Sequence, residues 1–211
     1  MINFLSRVYY YISNFKALLI INIETKKKVT LIGTGHQFGT SGRVYLHQGS
    51  TKNDIVMDSH SEMWGEIYSF NHGKVTIGSW SKLGRNSIIN CVNNVSIGKE
   101  CAIADHVIIT DHNYHPINPR DRQYMAHTPH GSYERSPACS INKPVIIGDN
   151  VWIGNYARIC KGVSIGNNSI IGANTVVTKD IPANCIAVGN PARIVRYNID
   201  KETQPIFPLE A

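Results

Sequence analysis

A six-residue spacing of aliphatic side chains is the feature that most limits what this sequence can fold into. An aliphatic residue recurs at every sixth position in three blocks of the chain. The thirteen positions are Ile77, Leu83, Ile89, Ile97, Ile103, Ile109, Ile141, Ile147, Ile153, Ile159, Ile165, Ile171 and Val177. This period matches neither the 3.6 residues of an α-helix nor the two of a β-strand. It is typical of a solenoid in which three strand-and-turn units form a triangular coil and the aliphatic residue points inward. We therefore predict an all-β fold, a parallel β-helix of hexapeptide repeats.

Weaker signals extend this pattern. A second small or branched residue precedes most of the inward positions by two, as at Val151, Ala157 and Ser169. The step from Ile89 to Ile97 is eight residues, which indicates a two-residue insertion near Asn93 and Asn94. A fainter run, Ile32, Phe38 and Val44, predicts a further coil upstream.

Composition agrees with strands and not with helices. The chain has 211 residues, enough for one domain, with 29 Ile and 15 Val against 7 Leu. β-Branched side chains suit a pleated surface, so the composition disfavours a helical bundle. The five cysteines are widely spaced, odd in number and without a CxxC pair, which favours reduced thiols in a cytoplasmic protein over a disulfide scaffold.

The ends of the chain differ from the repeat. Residues 1–28 are apolar and aromatic, with Arg7, Lys16 and a lysine run at 26–28, and predict an amphipathic helix. Its apolar run is too short to cross a bilayer, so the helix packs on protein or lies on the inner membrane surface. We predict three regions: this appendage, a repeat domain over 29–197 and a tail over 198–211.

A long interruption separates the last two blocks of the repeat. Between Ile109 and Ile141 no hexapeptide is visible, and we predict an excursion loop over about 112–140. Five of the nine histidines fall in or just before it: His106, His112, His115, His127 and His130. Long irregular segments in compact domains are usually functional.

Two C-terminal segments carry a resemblance to a known family. The stretch 176–182, Val-Val-Thr-Lys-Asp-Ile-Pro, and the stretch 189–193, Gly-Asn-Pro-Ala-Arg, resemble the left-handed β-helix acyltransferases. The similarity is greatest to maltose and galactoside O-acetyltransferases and to lipopolysaccharide and capsule O-acetyltransferases, over about residues 75–197. It implies left-handed coils, a homotrimer with active sites between neighbouring subunits, and acetyl-CoA as co-substrate.

The resemblance also proposes a general base. The segment 115–119, His-Pro-Ile-Asn-Pro, is similar to the family segment that carries the catalytic histidine, which gives His115. The run 111–115, Asp-His-Asn-Tyr-His, can instead be aligned to give His112. An imidazole suits the task because a sugar hydroxyl is a poor nucleophile and must lose its proton during attack on a thioester. Asp111 is a candidate to orient either ring.

The same resemblance assigns positions to the donor and the acceptor. The donor-side residues are Trp152, Asn155, Ala173, Thr178, Lys179, Arg193 and Arg196. Cations and backbone N–H groups among them suit the phosphates and pantetheine of coenzyme A. Asn90 is a candidate for contact with the acceptor. No nucleophile motif is visible for a covalent acyl-enzyme, so direct transfer in a ternary complex is expected.

Several alternatives stay open. N-acetylation of an amino sugar is one, and a zinc hydratase using His106, His112 and His115 is another, although the resemblance gives no metal site. A third is a non-catalytic scaffold, while nucleic-acid binding is disfavoured because no basic face with aromatics is visible. We expect the acceptor, a sugar or glycan, to meet irregular segments at 45–75 and 116–140. Residues 31–140 carry nine cations and nine anions of the chain's 21 and 15, so a polyanionic acceptor is not predicted.

Overall fold

The computed structural model describes residues 16, 19, 20 and 23–202. Residues 16, 19, 20 and 23–26 are helical, and the remainder of the predicted N-terminal helix lies outside the described residues. Within the described part of the chain, no helix is both long enough and apolar enough to cross a membrane.

Three sheets form the sides of a prism that starts at residue 30; sheets A and C are parallel throughout, and sheet B is parallel apart from its last C-terminal pairing. Sheet A contains β1 (Thr30–Leu31), β4 (Ile55–Met57), β7 (Lys74–Ile77), β10 (Asn94–Ile97), β13 (Val145–Ile147) and β16 (Ser164–Ile165). Sheet B contains β2 (Gln37–Phe38), β5 (Glu62–Met63), β8 (Lys82–Leu83), β11 (Ala102–Ile103), β14 (Trp152–Ile153), β17 (Ile170–Ile171), β19 (Ile186–Val188) and β20 (Arg193–Arg196). Sheet C contains β3 (Arg43–His47), β6 (Glu66–Phe70), β9 (Ile88–Cys91), β12 (Ile108–Thr110), β15 (Arg158–Ile159) and β18 (Val176–Val177). The fold is the predicted left-handed parallel β-helix, and among the strands of residues 23–202 only β20 runs antiparallel, against β19.

The core is the column of inward side chains that the six-residue period predicts. Ile147, Ile153, Ile159, Ile165 and Val177 are at most 2% exposed. In-register pairing stacks each of them on its equivalent one coil away, as Ile147 on Ile165 and Ile159 on Val177. Because each apolar residue is covered above and below by another, the prism is buried continuously along its axis.

The corners require backbone conformations that few residues adopt. Asn150, Asn168 and Asn184 have φ values of 53°, 60° and 57°, a left-handed conformation that asparagine tolerates. Their amides form a ladder, with Asn150 Nδ2 3.1 Å from Asn168 Oδ1 and Asn168 Nδ2 2.8 Å from Asn184 Oδ1. Coils also approach closely at glycine: a Cβ on Gly154 would lie 2.6 Å from the Ala173 nitrogen.

Three predicted details are wrong. Ile141 is 49% exposed and Ile32 is 52% exposed, so neither belongs to the core. The inward column of sheet A resumes at Val145, and Leu31 packs on the core in place of Ile32. Residues 45–75 are not irregular, because they contain β4 to β6, most of β3 and the first half of β7. Their coils are longer than eighteen residues, and these insertions hide the period.

The excursion between β12 and β13 is folded. It contains α1 (Pro119–Ala126), capped by the side chain of Asn118, and 3-10 turns at Tyr133–Arg135 and Pro137–Cys139. An antiparallel bridge between His112 and Asn142 closes its base. The last element of the described residues is a short helix, α2 (Ile199–Glu202), which follows β20.

Candidate functional site

A buried histidine lies where the excursion leaves the prism. β9 and β12 are neighbours in sheet C and pair Asn90 with Thr110. His112 follows two residues later, is 3% exposed, and its Nε2 lies 3.0 Å from Asn90 Oδ1. The structure thus joins two residues that the sequence predicts for the site.

The hydrogen bonds of His112 fix the position of its proton. Its Nδ1 accepts from the backbone N–H of Tyr114 at 2.9 Å. A backbone N–H can only donate, so Nδ1 is unprotonated and the ring proton is on Nε2, which donates to Asn90. Burial lowers the pKa of His112, and the charge of Asp111 opposes this shift only in part. The ring is therefore a neutral hydrogen-bond donor in this state.

Two further residues belong to this cluster and were not predicted from the sequence. The Tyr114 ring meets His112 edge-on, with centroids 4.4 Å apart. Burial raises the pKa of the Tyr114 hydroxyl, while the charge of Arg158 and a hydrogen bond with Asn90 act in the opposite direction. The alternation of outward and inward residues along β15 is the signal that could have placed Arg158 on this face.

Asp111 does not orient an imidazole. Its carboxylate is fully buried and accepts from the backbone N–H groups of Val92, Asn93 and Asn94 at 2.7–3.2 Å. The thiol of Cys91 also lies 3.3 Å from it, and burial together with this carboxylate raises the pKa of the thiol. These amides belong to the turn with the two inserted residues, so Asp111 holds that turn in place.

The other predicted base, His115, is in a different environment. It is exposed and lines a cavity of about 320 Å³ with Arg122, Met125, Ala126 and Arg135. Within the described residues its ring nitrogens have no protein hydrogen-bond partner. His112 and His115 therefore differ as candidates, because one is held by two hydrogen bonds and the other is free.

The predicted donor residues lie on both edges of sheet C and on sheet B. Asn155 and Ala173 are on adjacent turns between sheets B and C, and Arg193 begins β20 beside Val188. Thr178 and Lys179 follow β18 at the opposite edge of sheet C, the edge that also carries His112. Trp152 (54% exposed) and Arg196 are paired across sheet B with Ile170 and Ile186.

The turn between sheets B and C offers unused donors. Among the described residues, the backbone N–H groups of Asn155 and Ala173 donate to no protein acceptor, and both residues are exposed. The Asn155 side chain is engaged, since its Oδ1 accepts from the Asp105 N–H at 3.2 Å. Two exposed amides one coil apart can receive the carbonyl groups of an extended ligand.

The residues proposed for zinc are not assembled. His106 stacks on Tyr156 at 4.7 Å, on the turn between sheets B and C. His112 lies at the far edge of sheet C. Across residues 16, 19, 20 and 23–202, no three His, Cys, Asp or Glu side chains are grouped to hold a metal ion. The five cysteines are all free thiols.

Known proteins share both the repeat and the prism. Residues 144–179 match the family model of the bacterial transferase hexapeptide (six repeats). The galactoside O-acetyltransferase of Escherichia coli (strain K12) is 50% identical over 64 residues, 30% of this chain and 32% of the relative. The matches span between a third and about half of the length of the curated relatives.

Two solved structures with related sequences share the fold. The polySia specific acetyltransferase NeuO superposes with a TM-score of 0.53 and 26% identity, covering 81% of this chain and 86% of that one. The polysialic acid O-acetyltransferase OatWY gives 0.55 and 25%, covering 81% and 89%. The repeat over residues 144–179 and the prism are therefore similar to those of the hexapeptide-repeat transferases.

Proposed function

We propose that this protein transfers an acetyl group from acetyl-CoA to a hydroxyl of a sugar or glycan by direct attack in a ternary complex. The observation that carries the proposal is the cluster of the buried His112 and Asn90 with the half-buried Tyr114, one sheet width from the exposed amides of Asn155 and Ala173. The cluster offers polar groups for an acceptor, and the amides offer donors for an acyl-CoA. The relatives named above are acetyltransferases, which supports acetyl as the transferred group.

His115 is our candidate for the base. Both nitrogens of His112 are already hydrogen-bonded, so His112 can take a proton only by giving up one of these bonds. His115 has its nitrogens free and stands at the same end of the excursion. A free imidazole that accepts the hydroxyl proton as the thioester is attacked is general base catalysis. In this scheme His112 positions Asn90 toward the acceptor.

Transfer requires the amides on one edge of sheet C to lie close to the histidines on the other edge. Asn155 and Cys160 lie at opposite ends of β15, five residues apart, so the edges are no more than about 17 Å apart. Within one protomer the body of the prism separates the amides on one edge from His112 on the other. A second copy packed along sheet C would face its amides toward the first copy's histidines, which is the arrangement of a homotrimer with shared sites. We place this reaction in the cytoplasm, where acetyl-CoA is present.

The test is an assay of free coenzyme A release from acetyl-CoA. It is run with hexoses, amino sugars and oligosaccharides as acceptors, and with wild type, His115→Ala, His112→Ala and His127→Ala. His127 is an exposed histidine at the end of α1 and serves as the control. Loss of the base lowers kcat by about 100- to 10,000-fold, and we expect this for His115→Ala.

Each outcome decides a separate part of the proposal. Full turnover in His115→Ala with an inactive His112→Ala would assign the base to His112. Acetylation of amino groups only would make the protein an N-acetyltransferase. If no acceptor releases coenzyme A and acetyl-CoA does not bind, the proposed function is wrong.

A mixing experiment tests the shared site. Subunits carrying His115→Ala are co-assembled with subunits carrying Ala173→Pro, which removes the amide donor at residue 173. Each variant alone is expected to be inactive, and the mixed assembly to recover a fraction of activity through sites made of two intact edges. No recovery in a verified mixed assembly would place the whole site within one subunit.

A further inference from the structure

The cavity beside His115 is cationic although its segment is close to neutral. Residues 112–140 contain the adjacent pairs Asp121–Arg122 and Glu134–Arg135. Arg122 and Arg135 line the cavity of about 320 Å³ that includes His115. Asp121 and Glu134 line a neighbouring cavity of about 220 Å³. Met125 borders both cavities. The arginines therefore lie on one side of Met125, and the acidic residues next to them in the chain lie on the other.

Each arginine is held in place by backbone carbonyls. Arg122 donates through Nη1 to the carbonyls of Pro116 and Ile117. Arg135 donates through Nε to Thr128 at 3.0 Å and through Nη2 to Ala126 at 3.0 Å. These bonds leave further N–H donors on both guanidinium groups. In the described part of the chain neither guanidinium is paired with a carboxylate.

Preorganised arginines without a carboxylate partner favour a planar anion. A guanidinium binds a carboxylate through two parallel hydrogen bonds, and fixing it beforehand reduces the entropy lost on binding. The cavity volume falls at the lower end of small-molecule sites, which fits one monosaccharide unit. His115 on the same wall brings the bound unit next to the proposed base.

We propose that this cavity binds the carboxylate of an acidic sugar and that the acceptor is therefore a carboxylate-bearing glycan. The inference rests on the proposed acetyl transfer and names its substrate class. The near-zero net charge of the segment does not predict an acidic acceptor. The cavity beside His115 is nevertheless cationic, because Asp121 and Glu134 line a different cavity.

The test is calorimetric binding without acetyl-CoA, using matched acid and ester probes. The probes are N-acetylneuraminic, glucuronic and galacturonic acids, each paired with its methyl ester, which keeps the sugar and removes the charge. We expect at least one acid to bind about tenfold or more tightly than its ester, because charged hydrogen bonds are the stronger ones. Arg122→Gln and Arg135→Gln should remove that preference and leave ester binding unchanged.

The control variant is Arg120→Gln, an exposed arginine on the same helix that does not line the cavity. It has the same change in net charge as Arg122→Gln and should keep the preference. Because Arg135 braces two carbonyls, circular dichroism and thermal unfolding accompany each variant, and Arg122→Gln alone suffices if Arg135→Gln unfolds. If no acid binds more tightly than its ester, or if Arg120→Gln has the same effect as Arg122→Gln, the proposal is wrong.

The binding experiment and the acetylation assay can fail independently of each other. Acetylation of a neutral sugar with no acid preference would overturn this inference and leave the proposed function standing. Arginine-dependent acid binding by a protein that acetylates nothing would overturn the proposed function and keep the anion site.

Discussion

The C-terminal coils and the excursion order the chain in two different ways. In the coils from β13 to β19, the inward residues stack on their equivalents one coil away. Between residues 113 and 140, only Met125, Ser136 and Ser140 are buried. The Ser136 hydroxyl anchors the excursion to the Gln48 side chain, 88 residues away. Repetition gives the coils the same neighbours at every step, whereas the excursion depends on individual contacts that occur once.

The largest expected effect is in the core of the coils. Ile159→Ala removes a fully buried side chain and leaves a cavity that the stacked coils cannot close, so unfolding free energy should fall by about 2–5 kcal/mol. Urea unfolding followed by circular dichroism measures it, with Ile159→Val as the milder control at about 0.5–1.5 kcal/mol. A loss in unfolding free energy below about 1 kcal/mol for the alanine variant would show that the stacked coils move to close the cavity.

The next effect lies where the two regions join. Asp111→Asn replaces a carboxylate that accepts three backbone N–H groups with an amide that has one oxygen. Buried donors left unsatisfied cost about 1–3 kcal/mol each, and we expect a total loss of about 2–4 kcal/mol in urea unfolding. Asp149→Asn is the matched control, because this exposed carboxylate accepts one hydrogen bond, from Lys99 N–H at 2.8 Å. An ordinary hydrogen bond contributes about 1 kcal/mol to stability, so the loss in unfolding free energy for Asp149→Asn should be below about 1 kcal/mol.

A smaller effect concerns pH. The pKa of His112 is lowered in the folded state, so between that value and about 6.5 the unfolded chain binds the extra proton and the folded chain does not. Stability should therefore fall as the pH drops below about 6.5, by at most about 1.4 kcal/mol per pH unit, and level off below the folded pKa. His112→Gln should remove this part of the pH dependence. Equal slopes for the two proteins would show that His112 titrates normally.

The smallest effect tests the register of the repeat. Ile141 satisfies the six-residue period but is 49% exposed, so Ile141→Ala should lose only about 1 kcal/mol or less, in contrast with Ile159→Ala. Ile117→Ala in the excursion, at 62% exposed, should lie within about 0.5 kcal/mol of wild type. If Ile141→Ala cost as much as Ile159→Ala, the repeat would begin one hexapeptide earlier than the structure shows.

The inward column from Ile147 to Val177 could be predicted from spacing because a β-helix gives equivalent residues equivalent environments. The coils at 45–75 could not, because their insertions move Ile67 and Ile89 to a separation of 22 residues while the strands still pair. The predicted contact of Asp111 with an imidazole was wrong for a related reason. The turn that its carboxylate holds becomes its neighbour only when β9 and β12 lie side by side.

The sequence by itself determined the prism. One aliphatic residue at every sixth position can be buried throughout only if the chain coils so that these residues all point toward one axis. The sequence also determined that histidines gather at the one long interruption. Only the tertiary structure decided which of these histidines is held by Asn90 and which is free. It alone separated Arg122 and Arg135 from the acids next to them in the chain, since side chains adjacent in sequence point in different directions once α1 and the 3-10 turn are packed. Charge counted along a chain averages over such neighbours, whereas a bound ligand meets only the charges on its own wall.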